Sequence, residues 1–368
     1  METRIQKMAE VLINYSTKVQ KGETVLFRGT SPLAQPLMEA LTAEALKVGA
    51  HPLNYVHMSN EGATMLRNGS VEQIEYVNPM LKLMYDNADV IIRIEADENT
   101  NALAGFPKEK QQAWQRARGA LISIQMRREA EKSLRRCTTL FPTHAYAQDA
   151  NMSYDDYADF VFGACMVEEA DPVKYWRELS AFQERLVKYL HGKKKLQVRG
   201  TNIDMSMSIK DRLFLNADGT ANFPDGEIFT GPVEDSVNGW VKFTFPLVKD
   251  GNQVRGAQLV FKDGLVTEAK ADQNQEYLHA MLDTDAGSRR LGEFAIGTNT
   301  FIDRFTGQIL FDEKIGGTVH MAVGQSYAET GAVNKSAVHW DMICDTRQNT
   351  EILADGEVFF RNGEFLVK

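Results

Sequence analysis

The stretch GGTVHMAVGQSYAETGAVNKSAVHWDMI, Gly316 to Ile343, holds two of the seven histidines in the 368-residue chain, His320 and His339, and Asp341 follows His339 by two places. A two-residue spacing puts His339 and Asp341 on the same face of a β-strand, while Val338, Trp340 and Met342 point to the other. Around His320 the alternation is the same. Val319, Met321 and Val323 form one face; His320, with the small Thr318 and Ala322, forms the opposite one. Each strand therefore has an apolar face for packing and a nearly bare face from which a histidine projects, the pattern of a polar site inside a sheet-walled cavity. The half of the chain that contains this stretch is thus read as strand-rich.

Working outward, the runs LQVRG, DMSMSIK, WVKFTFPLV, QVRGAQLVFKDG, LVTEAKA, EFAIGTN and VFFRNGEFLVK are strand-like segments separated by Gly, Asn and Asp turns. One helix, around Gln275 to Leu282, interrupts them. The first half alternates helix and strand instead. Ile5, Met8, Ala9, Leu12 and Tyr15 recur at helical spacing, ETVLFRG reads as a strand, and Ser31-Pro32 offers an N-cap and first-turn proline for a helix closed by Gly49. PLNYVH (strand), Val71 to Asp86 (helix), DVIIRIEA (strand), Lys108 to Leu134 (helix) and Cys137 to Leu140 (strand) follow. Further helices are expected at Tyr154 to Met166 and Pro172 to Leu190. Repeated βα units imply a doubly wound parallel sheet. The predicted organisation is an α/β scaffold and dimerisation domain over 1–191, and a mostly antiparallel, curved-sheet domain over 192–368 that carries the metal site.

Composition bounds the function. The formal net charge is -9, which disfavours nucleic-acid and anionic-membrane partners, since phosphate binding is driven by clustered Lys and Arg. Cys137, Cys165 and Cys344 are odd in number, widely spaced and never CxxC, so they suggest neither a disulfide framework nor a thiolate metal site. With no secretion signal and no long apolar run, a cytoplasmic protein is expected. The first βα turn, RGTSPLAQP, lacks the GxGxxG of a dinucleotide site, and no GxxxxGK[ST] loop occurs. HExxH and GxSxG are also absent. His51, His57, His144, His191 and His279 stand at no ligand spacing.

Two acids share the setting of the histidines. Glu227 in GEIFTGP is followed by Ile228, and Glu293 in LGEFAIGTN by Phe294. A carboxylate interleaved with core residues is costly to bury unless it is paired or bound to a cation. Each acid also has a plain structural reading, Glu227 as a turn acid and Glu293 as a partner for Arg289 or Arg290.

Taken in order, GEIFTGP, LGEFAIGTN, GGTVHMAVGQSYAETG and NKSAVHWDMI resemble the thermophilic-type metalloaminopeptidases, the aminopeptidase T family. The resemblance is specific in the C-terminal half and rests only on element layout in the first; the segment between Tyr327 and His339 is short beside some family members. It implies Glu227, Glu293, His320, His339 and Asp341 as metal ligands and Tyr327 as an active-site tyrosine. Three carboxylates and two neutral imidazoles balance two divalent cations with a bridging hydroxide, and no thiolate is present, which suits zinc, cobalt or manganese. The implied protein is a homodimeric aminopeptidase that acts on peptides with a free N-terminus. In it the hydroxide attacks, Glu293 bridges the ions and accepts the proton, and Tyr327 steadies the oxyanion. Two other readings compete: a two-metal phosphoesterase, and a non-catalytic nucleotide-binding protein.

Overall fold

The computed structural model describes residues 1–249 and 252–367. It divides into two compact units, Met1–Trp176 with Gly219–Pro224, and Arg177–Asp218 with Asp225–Lys368. The division falls at Trp176, earlier in the chain than Gly192, and six residues from much later return to the first unit.

The first unit is built on a parallel sheet of five strands in the order His51–Val56, Thr24–Gly29, Val90–Glu95, Arg135–Leu140, Asn222–Phe223. Val25, Leu26, Phe27, Val90, Ile92 and Ile94 are wholly buried, as expected of parallel strands covered on both faces. The helix expected over Lys108 to Leu134 forms as Lys108–Ala130, and Pro172–Leu190, which runs on into the second unit, has its expected bounds. The helix expected over 71–86 is broken into Val71–Glu75 and Pro79–Asn87. Pro79 has no N–H to continue the first helix. It starts the second, where Asn78 accepts from the Met80 N–H. The strand Asn222–Phe223 was not legible, because a two-residue strand has no periodicity and this one pairs with Thr138 and Thr139, far away in sequence.

The second unit holds two antiparallel sheets and a short hairpin. Eight strands run in the order Leu265–Lys270, Gln258–Lys262, Asn238–Lys242, Ile203–Ser208, Lys195–Gly200, Thr350–Ala354, Glu357–Arg361, Glu364–Phe365. The other sheet has the order His339–Asp345, Thr318–Gly324, Leu291–Gly297, Glu227–Thr230, Leu215–Ala217. One continuous core serves both, with Leu196, Val198, Ile203 and Met205 from the first packed with Ile228, Phe294, Met321 and Trp340 from the second. WVKFTFPLV, read as one strand, is two: Asn238–Lys242 and Leu247–Lys249. Pro246 stands at the break and cannot donate to a ladder. The helix Gln275–Leu282 matches its expected bounds.

Candidate metal centre

The register of the five-stranded sheet explains how residues distant in sequence meet. Glu293 lies opposite Ala322, which lies opposite Asp341; His320 lies opposite Ala295; His339 lies opposite Gly324; Glu227 lies opposite Gly297. Cross-strand partners point to the same side of a sheet. All five residues therefore share one face, and the positions between them are Gly or Ala, which leave that face open. Phe294, Ile296, Val319, Met321, Trp340 and Met342 project from the other face into the core. Gly226 makes the entry to the Glu227 strand possible. Its φ is +129°, and a Cβ there would lie 2.7 Å from Asn299 Cβ, so only glycine fits.

Three ligand-type triads result, each with its donor atoms within 4.8 Å of one another: Glu227, Glu293 and His320; Glu293, His339 and Asp341; Glu313, His320 and Asp341. Glu293 belongs to two of them. His320 Nε2 is 3.2 Å from Glu227 Oε2 and 3.8 Å from Glu293 Oε1, and His339 Nε2 is 3.3 Å from both Glu293 Oε2 and Asp341 Oδ1. Tyr327 stands beside this group, its ring 5.3 Å from those of His339 and Phe229 and its side chain about half exposed.

Glu313 and Lys314 were not identified from sequence. They stand in the segment DEKIGG, which carries no ligand spacing of its own. Yet Lys314 is 1% exposed, with Nζ 2.5 Å from both Glu227 Oε1 and Glu313 Oε1 and 3.4 Å from Asp225 Oδ1. The isolated β-bridge of Asn299 with Ile315 carries these residues inward, a signal that no local pattern contains.

The electrostatics are those of an acid-rich, desolvated pocket. Burial outweighs the attraction of Lys314 and His320 and pushes Glu227 up to about 8. Burial lowers His320, but Glu227 and Glu293 overcome it and raise the imidazole to about 9. His339 is likewise pulled down by burial and then lifted to about 11, chiefly by Asp341. Burial would raise Asp341, yet His339 holds it far below the ordinary carboxylate range. Tyr327 is pushed well above its usual value by desolvation and then by Glu293 and Asp341. In sum, the pocket calls for positive charge.

These donors fit a cation. His339 Nδ1 is 2.8 Å from the Gln325 carbonyl oxygen. A carbonyl only accepts, so Nδ1 donates to it, and Nε2 is the ring nitrogen that faces the two carboxylates, where a bound cation would take the place of its proton. Such a contact from the second ring nitrogen orients a metal-ligating histidine. Glu227 Oε2, Asp341 Oδ1 and His320 Nδ1 are buried without a hydrogen-bond partner. Oxygen and imidazole donors without thiolate form the ligand chemistry of a divalent-metal site. Cys137, Cys165 and Cys344 are free and buried.

This donor set suits a divalent-metal site, and comparison with known proteins specifies the class of protein, a metal-dependent hydrolase. The chain belongs to the thermophilic metalloprotease (M29) family, whose profile matches residues 1–365. It is 29% identical to aminopeptidase 2 of Geobacillus stearothermophilus, over 99% of this chain and 98% of that one. To aminopeptidase T of Thermus thermophilus it is 25% identical, over 88% and 85%. Among solved structures, wild-type AmpT of Thermus thermophilus superposes with a TM-score of 0.86 at 22% identity, covering 99% of both chains. A 2,5-dihydroxypyridine dioxygenase of Pseudomonas putida KT2440 gives 0.59 at 15% identity. Both structural likenesses show the mixed α/β fold. The phosphoesterase and nucleotide-binding readings find no support in these matches. Among the described residues no helix is long and apolar enough to cross a membrane.

Proposed function

We propose that the chain is an aminopeptidase that removes N-terminal residues from peptides, with two divalent ions held by Glu227, Glu293, His320, His339 and Asp341. The observation that carries this reading is the place of Glu293 in two adjoining triads. A shared carboxylate is what a pair of ions roughly 3.5 to 4 Å apart requires. When bound, such ions supply Lewis acidity toward the scissile carbonyl and make water a nucleophile at neutral pH.

The chain's own residues do the rest. Glu293, 4% exposed, accepts the proton released by the attacking water. Tyr327, at the edge of the group, donates its O–H to the developing oxyanion. Lys314 neutralises part of the charge on Glu227 and Glu313 and fixes both in place. An open position on the metal pair would accept a free α-amine and not a blocked one, which gives cleavage from the N-terminal end. Zinc, cobalt and manganese all suit the donors. A homodimer in the cytoplasm, with residues 1–191 as scaffold and dimerisation domain and 192–368 as the catalytic domain, completes the proposal.

Metal analysis of the purified protein is expected to give about two divalent ions per chain. A free peptide is expected to be cleaved, and its N-acetylated twin left intact. Equal cleavage of both would remove the exopeptidase reading, and a protein without metal that added zinc or cobalt fails to activate would remove the metal reading as well.

A further inference from the structure

The first unit contains a feature that the metal centre does not use. In the parallel sheet, Arg28 lies directly opposite Arg93 on the neighbouring strand, with Tyr55 and Thr138 continuing the same row on either side. Like charges at paired positions repel, and a parallel sheet covered on both faces ordinarily presents apolar side chains. Arg118, from the Lys108–Ala130 helix, joins these two. The three arginines line a cavity of about 510 Å³ and a smaller one of about 180 Å³ beside it.

The protein satisfies this charge only in part. Arg28 donates to the Tyr85 hydroxyl and sits 2.9 Å from His57 Nε2, while Arg93 pairs with Glu95 at 3.0 Å. The Nε atoms of Arg28 and Arg93 are buried without a partner. Burial first, and then the nearby Arg93 and Arg28, depress the pKa of Arg118 against the opposing pull of Asp97 and Glu95. The larger cavity does contain acids. Glu61 is engaged by the Met58 N–H and His57, and Glu98 by Ser59, while Asp97 also lines this cavity and, with Glu95, acts electrostatically on Arg118. Arg136 adds a fourth guanidinium to the smaller cavity, whose lining includes no carboxylate.

The location is also one where open α/β sheets bind ligands. The strand order turns at Thr24–Gly29, so the crevice outside the carboxyl ends of this strand and Val90–Glu95 is the switch point. Arg28 and Arg93 lie near those ends. Guanidinium forks match carboxylate and phosphate oxygens bidentately, and they replace the glycine-rich turn that the chain lacks.

We propose that the first unit carries an oxyanion-binding site, formed by Arg28, Arg93 and Arg118, that takes a small molecule bearing a carboxylate or phosphate group. The site is independent of the metal centre and of the reaction assigned to it.

Thermal-shift and calorimetric titrations of the intact protein with inorganic phosphate and with succinate, against chloride at matched ionic strength, test it. Saturable binding of phosphate alone assigns a phosphorylated ligand, and of succinate alone a carboxylate; binding of both assigns an oxyanion site of broad selectivity. Arg118→Gln, and separately Arg93→Gln, are expected to weaken binding by about tenfold or more through loss of a charge-assisted hydrogen bond. Arg116→Gln, on the same helix but outside both cavities, is expected to leave it intact. Absence of saturable binding to the native protein, or undiminished binding in both cavity variants, overturns the proposal.

Discussion

Glu293, Tyr327 and Asp312 show how single side chains acquire properties that their residue type does not have. Glu293 is nearly inaccessible and keeps a low pKa only because His320 and His339 offset the cost of its burial. Glu293→Gln is expected to reduce kcat/KM by about 10³-fold or more and to lower the metal content; peptide hydrolysis with metal analysis checks both. Tyr327→Phe removes one donor from the edge of the group. The expected loss is about 10²-fold in kcat with KM and metal content nearly unchanged, measured by steady-state kinetics. Asp312, buried beside the site, is raised to about 7 by desolvation, although the Thr306 N–H and Oγ1 donate to it. A carboxyl whose folded pKa lies above its unfolded value favours the fold when protonated, and that contribution is lost as pH rises from about 4 to about 7. Asp312→Asn is therefore expected to stabilise the protein by about 3 kcal/mol at pH 8 and hardly at all below pH 4, as read from denaturation midpoints at the two pH values. The acid–histidine alternation around His320, His339 and Glu293 was legible in sequence, because a period of two is local. The role of Glu313 and Lys314 was not, since a charged triplet in a turn looks the same whether it faces water or a buried pocket.

At the scale of elements, the Leu291–Gly297 strand is the structural axis of the site, paired on one side with Thr318–Gly324 and on the other with Glu227–Thr230. Its register shifts between Leu291 and Glu293, and such a bulge re-aims a side chain. Gly292 sits at that shift, where an added Cβ would lie 2.5 Å from the Gly324 carbonyl oxygen and 2.6 Å from that of Gln325. Backbone on both sides leaves little room to yield. Gly292→Ala is expected to cost about 2 to 3 kcal/mol and to weaken metal binding at the same time, because the bulge and Glu293 move together; thermal unfolding with and without added metal checks this. Helix and strand identities came from periodicity and survive in the structure wherever one element fills one pattern. They fail at prolines and at a glycine: Pro79 divides one expected helix, the WVKFTFPLV strand breaks at Pro246, and QVRGAQLVFKDG divides around Gly256 into Asn252–Val254 and Gln258–Lys262. Proline acts on the hydrogen-bond ladder rather than on hydrophobic pattern, so apolar spacing alone runs through it.

For the whole molecule, the proposed cation would hold together a group of like charges. Asp225, Glu227, Glu293, Glu313 and Asp341 converge on one region with Lys314, His320 and His339. Without metal, that convergence is repulsive. Chelation is expected to abolish peptide hydrolysis and to lower the melting temperature by about 10 °C, with both restored by added zinc, cobalt or manganese; calorimetry of the chelated and reconstituted protein checks it. The sequence by itself determined that the first half is an α/β layer structure, that the second half is antiparallel, and that His320, His339 and Asp341 occupy the bare faces of their strands, because alternation and turn residues are properties of neighbours along the chain; Glu227 and Glu293 joined them through the family resemblance. Tertiary structure alone decided which strands lie side by side and in what register. It thereby placed Glu293 between two histidines, buried Lys314 among carboxylates, set Arg28 against Arg93, and returned Asn222–Phe223 to the parallel sheet. Register depends on pairings across long separations, and no local pattern encodes the partner.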